Sequence, residues 1–218
     1  ARAAAAATGS VGRAVGAAYG ANAAGNAAGA VLGMLLLPVF GLAGLLGLAA
    51  AGSAAAGAVL APRRWRAALA AAGAAGALSP ALGLFDARLL SSGTFHGALP
   101  RGVSWRDFRA VFTSETLLFH RDDRHGTVVV VEAQGRRYLK VNGKTDASDG
   151  GDMRTQILLA AIPLRLNPAA SEVLIVGLGS GVTAAAALKR PRAEVTVVEI
   201  SQAVVAASRH FERVTGRP

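Results

Sequence analysis

Residues 171–211 read SEVLIVGLGSGVTAAAALKRPRAEVTVVEISQAVVAASRHF, and this stretch decides the fold. The apolar, β-branched run at 173–176 is too short for a helix and ends at a glycine cluster, which predicts a strand. Gly177, Gly179 and Gly181 follow, and the alanine-rich segment 183–188 favours helix. A second strand-like run at 195–198 ends on Glu199, and 202–211 reads as a further helix. The order is β-α-β-α, with the three glycines at the first strand-to-helix turn.

Glycines at such a turn let the backbone fold tightly and let a ligand approach the main chain, while the next helix offers free N–H groups. An acid closing the second strand can accept hydrogen bonds from both ribose hydroxyls of a nucleoside. A dinucleotide fingerprint requires G-x-G-x-x-G, and Val182 stands where its third glycine belongs. The G-x-G-x-G spacing suits an S-adenosylmethionine-type nucleoside better than NAD. Gly177, Gly179, Ser180, Gly181 and Glu199 are therefore the candidate nucleoside-binding residues. A glycine turn with no ligand is the competing reading.

The chain has 218 residues, of which 52% are hydrophobic and 5% aromatic, and it carries 27 glycines. Two strands do not complete a nucleotide-binding sheet, so a fragment of a longer protein is expected. There is no cysteine, which leaves neither disulfides nor thiolate metal sites. The net charge of +10 is unevenly spread: five arginines and no acid precede Asp86. No basic stripe with interleaved aromatics is present, so nucleic acid is not an expected partner.

Residues 14–62 contain no Asp, Glu, Lys or Arg, enough for two spans of about 20 residues and a turn. The turn is expected at 38–41, between helices at 14–37 and 42–61, and a signal peptide would be shorter with one apolar core. Gly12, Gly16 and Gly20, then Gly25, Gly29 and Gly33, recur every four residues, a period that favours close helix packing in lipid. Asn22 and Asn26 lie one turn apart, and interhelical hydrogen bonding is their expected role. Arg13, Arg63, Arg64 and Arg66 mark the cytoplasmic side of an inner or cell membrane. The charge-free stretch 67–85 leaves two outcomes open: if it spans, the following domain lies outside; if it lies in the interface, the domain stays inside. A cytoplasmic soluble domain is the expectation.

Residues 86–120, including Ser91-Ser92-Gly93 and Pro100, read as a linker, with Trp105 and Phe108 as packing or interfacial anchors. The HRDDRH run at 120–125 has two histidines around two aspartates but no evident third ligand, so a solvated loop outweighs a metal site. GTVVVVE at 126–132 and RYLKV at 137–141 form a predicted β-hairpin, followed by an Asn142-Gly143 turn. The expected organisation is a membrane region at 1–85, the linker at 86–120, a small β-hairpin domain at 121–150, and the start of a Rossmann-like fold at 151–218.

The pieces LKVNGKTDAS, GGDMRTQILLAAIPL, NPAASEVLIVGLGSGV and VVEISQAVV, in that order across 139–211, resemble the spermidine synthase (aminopropyltransferase) family, especially its bacterial membrane-fused members. YGANAAGNAAGAVLG is similar to the last helical hairpin of that type. The resemblance implies decarboxylated S-adenosylmethionine as the aminopropyl donor, a small amine as acceptor, no metal, and homodimeric assembly. It places Asp146, Asp152 and Gln156 in the segment bordering the amine, and a catalytic base beyond Pro218. The chain departs from the family pattern at Asp146, at Thr155-Gln156-Ile157, at Ser180 and at Ser201, all on the half that would grip the amine and the donor's tail. Two other readings stay open: an S-adenosylmethionine-dependent methyltransferase, and a non-catalytic nucleoside- or polyamine-binding membrane sensor or transporter.

Overall fold

A computed structural model describes residues 11–83, 85–94 and 102–216; residues 95–101 of the expected linker lie outside the described residues. Helix α1 (Val11–Leu60) is assigned as one element, but Gly41 interrupts it with φ 67° and ψ 172°. Pro38 removes a donor just upstream, and glycine alone takes that positive φ without strain. The expected break at 38–41 therefore exists. The helix pairing is different from the expected hairpin.

Residues 42–60 pack against α2 (Arg63–Leu78), with the turn at Ala61-Pro62. Glycine makes that contact close: a Cβ on Gly76 would lie 2.7 Å from the Ala50 Cβ, and one on Gly73 would lie 2.9 Å from the Ala54 Cβ. Gly47 faces the Gly76 carbonyl in the same way. The six glycines from Gly12 to Gly33 instead face open space, with nothing within 4 Å of an added Cβ. Asn22 and Asn26 are exposed and have no hydrogen-bonding partner among the described residues. Small residues mediate helix packing as anticipated, but one helix further along. Among the described residues, α1 is the one helix long and apolar enough to cross a membrane, with a mean hydropathy of 2.3 and 6% burial over its most apolar window.

Short helices α3 (Ala87–Leu90) and α4 (Trp105–Thr113) follow, so the expected linker is partly helical. Ser104 caps α4, and along it Trp105 stacks on Phe108 with centroids 5.3 Å apart while Phe108 meets Phe112 tilted, at 4.9 Å. An antiparallel meander then runs β1 (Thr116–Asp123), β2 (Gly126–Ala133), β3 (Arg136–Val141) and β4 (Lys144–Ser148), in the order β1-β2-β3-β4. The hairpin is present, but the domain boundary expected at 121 falls inside β1. HRDDRH is not a solvated loop: it is the end of β1 and its turn, and Asp122 and Asp123 are both engaged.

Helix α5 (Met153–Leu166) leads into β5 (Glu172–Val176), α6 (Val182–Leu188), β6 (Glu194–Val198) and α7 (Gln202–Ser208). A 3-10 turn (Arg209–Phe211) and α8 (Glu212–Thr215) complete the described chain. β5 and β6 are parallel, in register from Glu172↔Glu194 to Val176↔Val198, as the β-α-β reading requires. The main core joins the two sheets' territories: Val128, Val130, Leu139 and Ala147 of the meander pack against Ala203, Val204, Ala207 and Phe211. Phe211 is fully buried, and an aromatic of that size contributes roughly 1.5–3 kcal/mol. The meander is thereby fixed directly onto the helix that follows Glu199.

Candidate functional site

The site is built where β5 and β6 end. Gly177, Gly179 and Gly181 all have positive φ, at 92°, 56° and 84°. Crowding does not demand glycine at Gly177, where an added Cβ would meet nothing within 4 Å; backbone conformation does. The same openness leaves the main chain approachable. The Gly177 amide donates to the Val198 carbonyl at 2.8 Å, which extends the parallel ladder into the loop and fixes where it starts.

Glu199 closes the loop. Its Oε2 accepts from the Leu178 amide at 2.8 Å and its Oε1 accepts from the Ser201 amide at 2.9 Å. Each carboxylate oxygen still has a second acceptor position, so a ribose diol could donate to both without displacing the backbone. Charge-assisted bonds of this kind contribute about 1.5–3 kcal/mol each. The carboxylate thus has a structural task that the sequence did not reveal.

Ser180 is buried beneath the turn. Its hydroxyl donates to Gln156 Oε1 and accepts from the Val182 amide at 3.4 Å. Gln156 in turn donates from Nε2 to the Ser148 carbonyl at 2.8 Å and to Asp152 Oδ2 at 2.9 Å. Asp152 also accepts from the Ser148 amide at 3.0 Å and from the Ser148 hydroxyl. Asp152, Gln156 and Ser180 are therefore brought together in one network that braces the glycine loop against α5 and β4. Asp146 is not part of it: it lies exposed on β4, paired with Lys144 at 3.1 Å. Asp149 accepts from the Arg137 amide at 2.8 Å and pairs with Arg213.

The roles of two residues escaped the sequence reading. Ser201 caps α7, accepting from the Val204 amide at 3.1 Å, and a serine just before QAVVAAS is a recognisable cap signal. Asp123 has no local signal. Its Oδ2 accepts from the Ser201 hydroxyl at 2.6 Å and from the Ala203 amide at 3.3 Å. Burial works to raise the Asp123 carboxyl, but the Ser201 hydroxyl and the His125 and Ala203 amides outweigh it and hold the group below the usual carboxylate range.

The residue before it reaches α1. Asp122 Oδ2 accepts from the Leu42 amide at 2.7 Å, the first amide after the Gly41 break. Its Oδ1 accepts from the Thr127 hydroxyl at 2.5 Å and lies 3.5 Å from His120 Nε2. Burial again pushes upward, yet the bonds from His120, Thr127 and Leu42 win and hold Asp122 at about 2. A cavity of about 530 Å³ runs between α6, β6, α7 and α8, reaching Ser180 and Gly181 at one end and Val195 and Val197 below. Glu199 does not line it, so it lies behind the loop and not over the expected ligand position. Among the described residues, no group of three or more His, Asp or Glu side chains converges on a point.

Comparison with solved structures finds spermidine synthases. One is a spermidine synthase in complex with the transition-state analogue AdoDATO, 20% identical, with a TM-score of 0.43 over 45% of this chain and 35% of that one. Another is spermidine synthase from Thermotoga maritima, at the same identity and TM-score over 45% of this chain and 36% of that one. The chain spans about a third of the length of each. No protein-family model matches the chain, and no curated protein matches it.

Proposed function

We propose that this chain binds an S-adenosyl nucleoside at the 177–181 turn, in a membrane-anchored protein of the aminopropyltransferase type. The observation that carries the reading is Glu199 at the carboxyl edge of β6, clipped to the glycine loop with acceptor capacity to spare. In the implied reaction an amine nitrogen attacks the donor carbon next to the sulfonium. The C–S bond breaks, methylthioadenosine leaves as a neutral thioether, and the ammonium product releases one proton to a base. The loop and Glu199 would hold the nucleoside so that this carbon is presented to the acceptor.

A second reading, binding without transfer, has its own support. Asp152 and Gln156, two of the three residues that the resemblance sets beside the amine, are already bonded within the fold. Calorimetric titration of the full chain with methylthioadenosine, S-adenosylmethionine, NAD and spermidine separates these cases. Binding of the two S-adenosyl ligands in preference to NAD is expected. Preference for NAD overturns the nucleoside assignment, and failure of all four compounds to bind overturns both readings. The anchor is tested separately: the chain should stay with membranes through an alkaline carbonate wash, and its release into the soluble fraction refutes anchoring by α1.

A further inference from the structure

A carboxylate receives a ribose diol only when its oxygens are held at the right angle, and a glutamate has three side-chain torsions to fix. At Glu199 two backbone amides do this, Leu178 at one oxygen and Ser201 at the other. Leu178 belongs to the glycine loop, whose open backbone is the part a ligand would approach. The Ser201 amide is the second reference, outside that loop. What holds Ser201 therefore decides where Oε1 points.

Ser201 is held from the meander. Its hydroxyl donates to Asp123 Oδ2 at 2.6 Å and accepts from the Val204 amide at 3.1 Å. The cap on α7 uses the lone pair of that oxygen, while Asp123 takes its proton, and the amide is the donor left for Glu199. Asp123 is anchored in turn. Its Oδ2 also accepts from the Ala203 amide at 3.3 Å and its Oδ1 from the His125 amide at 2.8 Å. It pairs with Gly126 across the β1–β2 turn, and Val128 and Val130 of β2 share a core with Ala203 and Val204.

We infer that Asp123 is a positioning residue for the nucleoside site: through Ser201 it fixes the Glu199 carboxylate for a ribose diol. The inference rests on the nucleoside reading above and adds a residue that lies 78 positions before Ser201, on the other sheet. Capping alone does not call for it, because Ser201 caps α7 by itself. Asp123 is only 8% exposed and Ser201 5%, and a buried anion is costly unless its acceptors are met. Held below the usual carboxylate range, Asp123 is ionised at neutral pH and offers acceptors only.

The full chain is titrated with methylthioadenosine by calorimetry, and amide exchange is followed in the unliganded protein. D123A removes the acceptor and should weaken binding about fivefold, while E199A removes the carboxylate and should weaken it about thirtyfold. Independent effects multiply, but a residue acting through Glu199 has nothing left to act on once that carboxylate is gone. D123A should therefore cost nothing further in the E199A background. In D123A the Leu178 amide, which is bonded to Glu199 and not to Asp123, should exchange faster. The Glu194 amide, bonded to the Ser171 carbonyl at the far end of β6, reports general loosening and should keep its rate. S201A deletes only the hydroxyl, should repeat both results, and carries the test alone if D123A does not fold. Losses that multiply in the double variant overturn the inference. So does Leu178 exchange that stays at the wild-type rate or rises only together with Glu194. Failure of the wild type to bind methylthioadenosine overturns the nucleoside reading instead, and Leu178 exchange then still decides whether Asp123 holds Glu199.

Discussion

Replacing Glu199 by glutamine keeps the shape of the side chain but turns one acceptor oxygen into a donor. That amide then faces either the Leu178 or the Ser201 N–H, which now approach within 2.8 and 2.9 Å of the carboxylate. One charge-assisted bond is lost and one backbone amide is left without its partner, a cost of about 1.5–3 kcal/mol. For a chain of this size each kcal/mol moves the melting temperature by roughly 2–4 °C, so a fall of roughly 3–12 °C is expected. The same loop is the proposed nucleoside site, and affinity for methylthioadenosine should drop about tenfold, the equivalent of 1.4 kcal/mol. Glu194 begins the same strand in an exposed position, and E194Q should change stability by under about 0.5 kcal/mol. Near-UV dichroism melting and calorimetric titration of both variants check this. An E199Q protein that melts and binds like E194Q would refute the account of the loop.

Gly76→Ala puts a methyl 2.7 Å from the Ala50 Cβ and forces the two helices roughly 1 Å apart, at about 1–3 kcal/mol. Gly52→Ala, with nothing within 4 Å, should instead leave the melting temperature in detergent unchanged or raised. Asp122 is depressed to about 2, so its contribution is complete above about pH 4 and is lost as pH falls toward 2. Asp122→Ala should remove that part of the acid limb and speed hydrogen exchange at the Leu42 amide; unchanged exchange would count against the bond. Burial, then the Arg137 charge, lowers the His210 imidazole, so stability is fully present above the ordinary histidine range and declines as pH falls through the lowered value. Denaturant midpoints of the wild type and His210→Gln at pH 7 and pH 5 should converge at the lower pH if this is so.

The glycine turn and its two strands were legible because their signals are local: β-branched runs bounded by glycines, and an acid at a strand end. The break at Gly41 was legible for the same reason, since proline and glycine act within a turn of where they stand. What pairs across that break was not. The regular glycines from Gly12 to Gly33 carry the stronger pattern, yet Gly47, Gly73 and Gly76 make the contact, because packing depends on which helix returns and not on which has the cleaner period. Asp122 and Asp123 were read as polar residues in a loop, since their partners lie 80 and 78 residues away in sequence. Ser180 was placed at the site by the glycine spacing and Gln156 by resemblance, and the network that joins them is a tertiary fact.

Neighbouring side chains on a strand point to opposite faces, and β1 uses that alternation at its last two residues. Asp122 grips α1 at Leu42 while Asp123 grips Ser201 and Ala203 at the start of α7, just past Glu199. The strand is therefore a stiff spacer of fixed width, with the long apolar helix on one side and the glycine-loop edge on the other; on the proposed reading these are the bilayer anchor and the nucleoside site. No slack chain intervenes between them. A domain mounted this way cannot sample the volume that a tethered one sweeps. Its site would stay at one height above the lipid, and a change in helix tilt would move the glycine loop as a body.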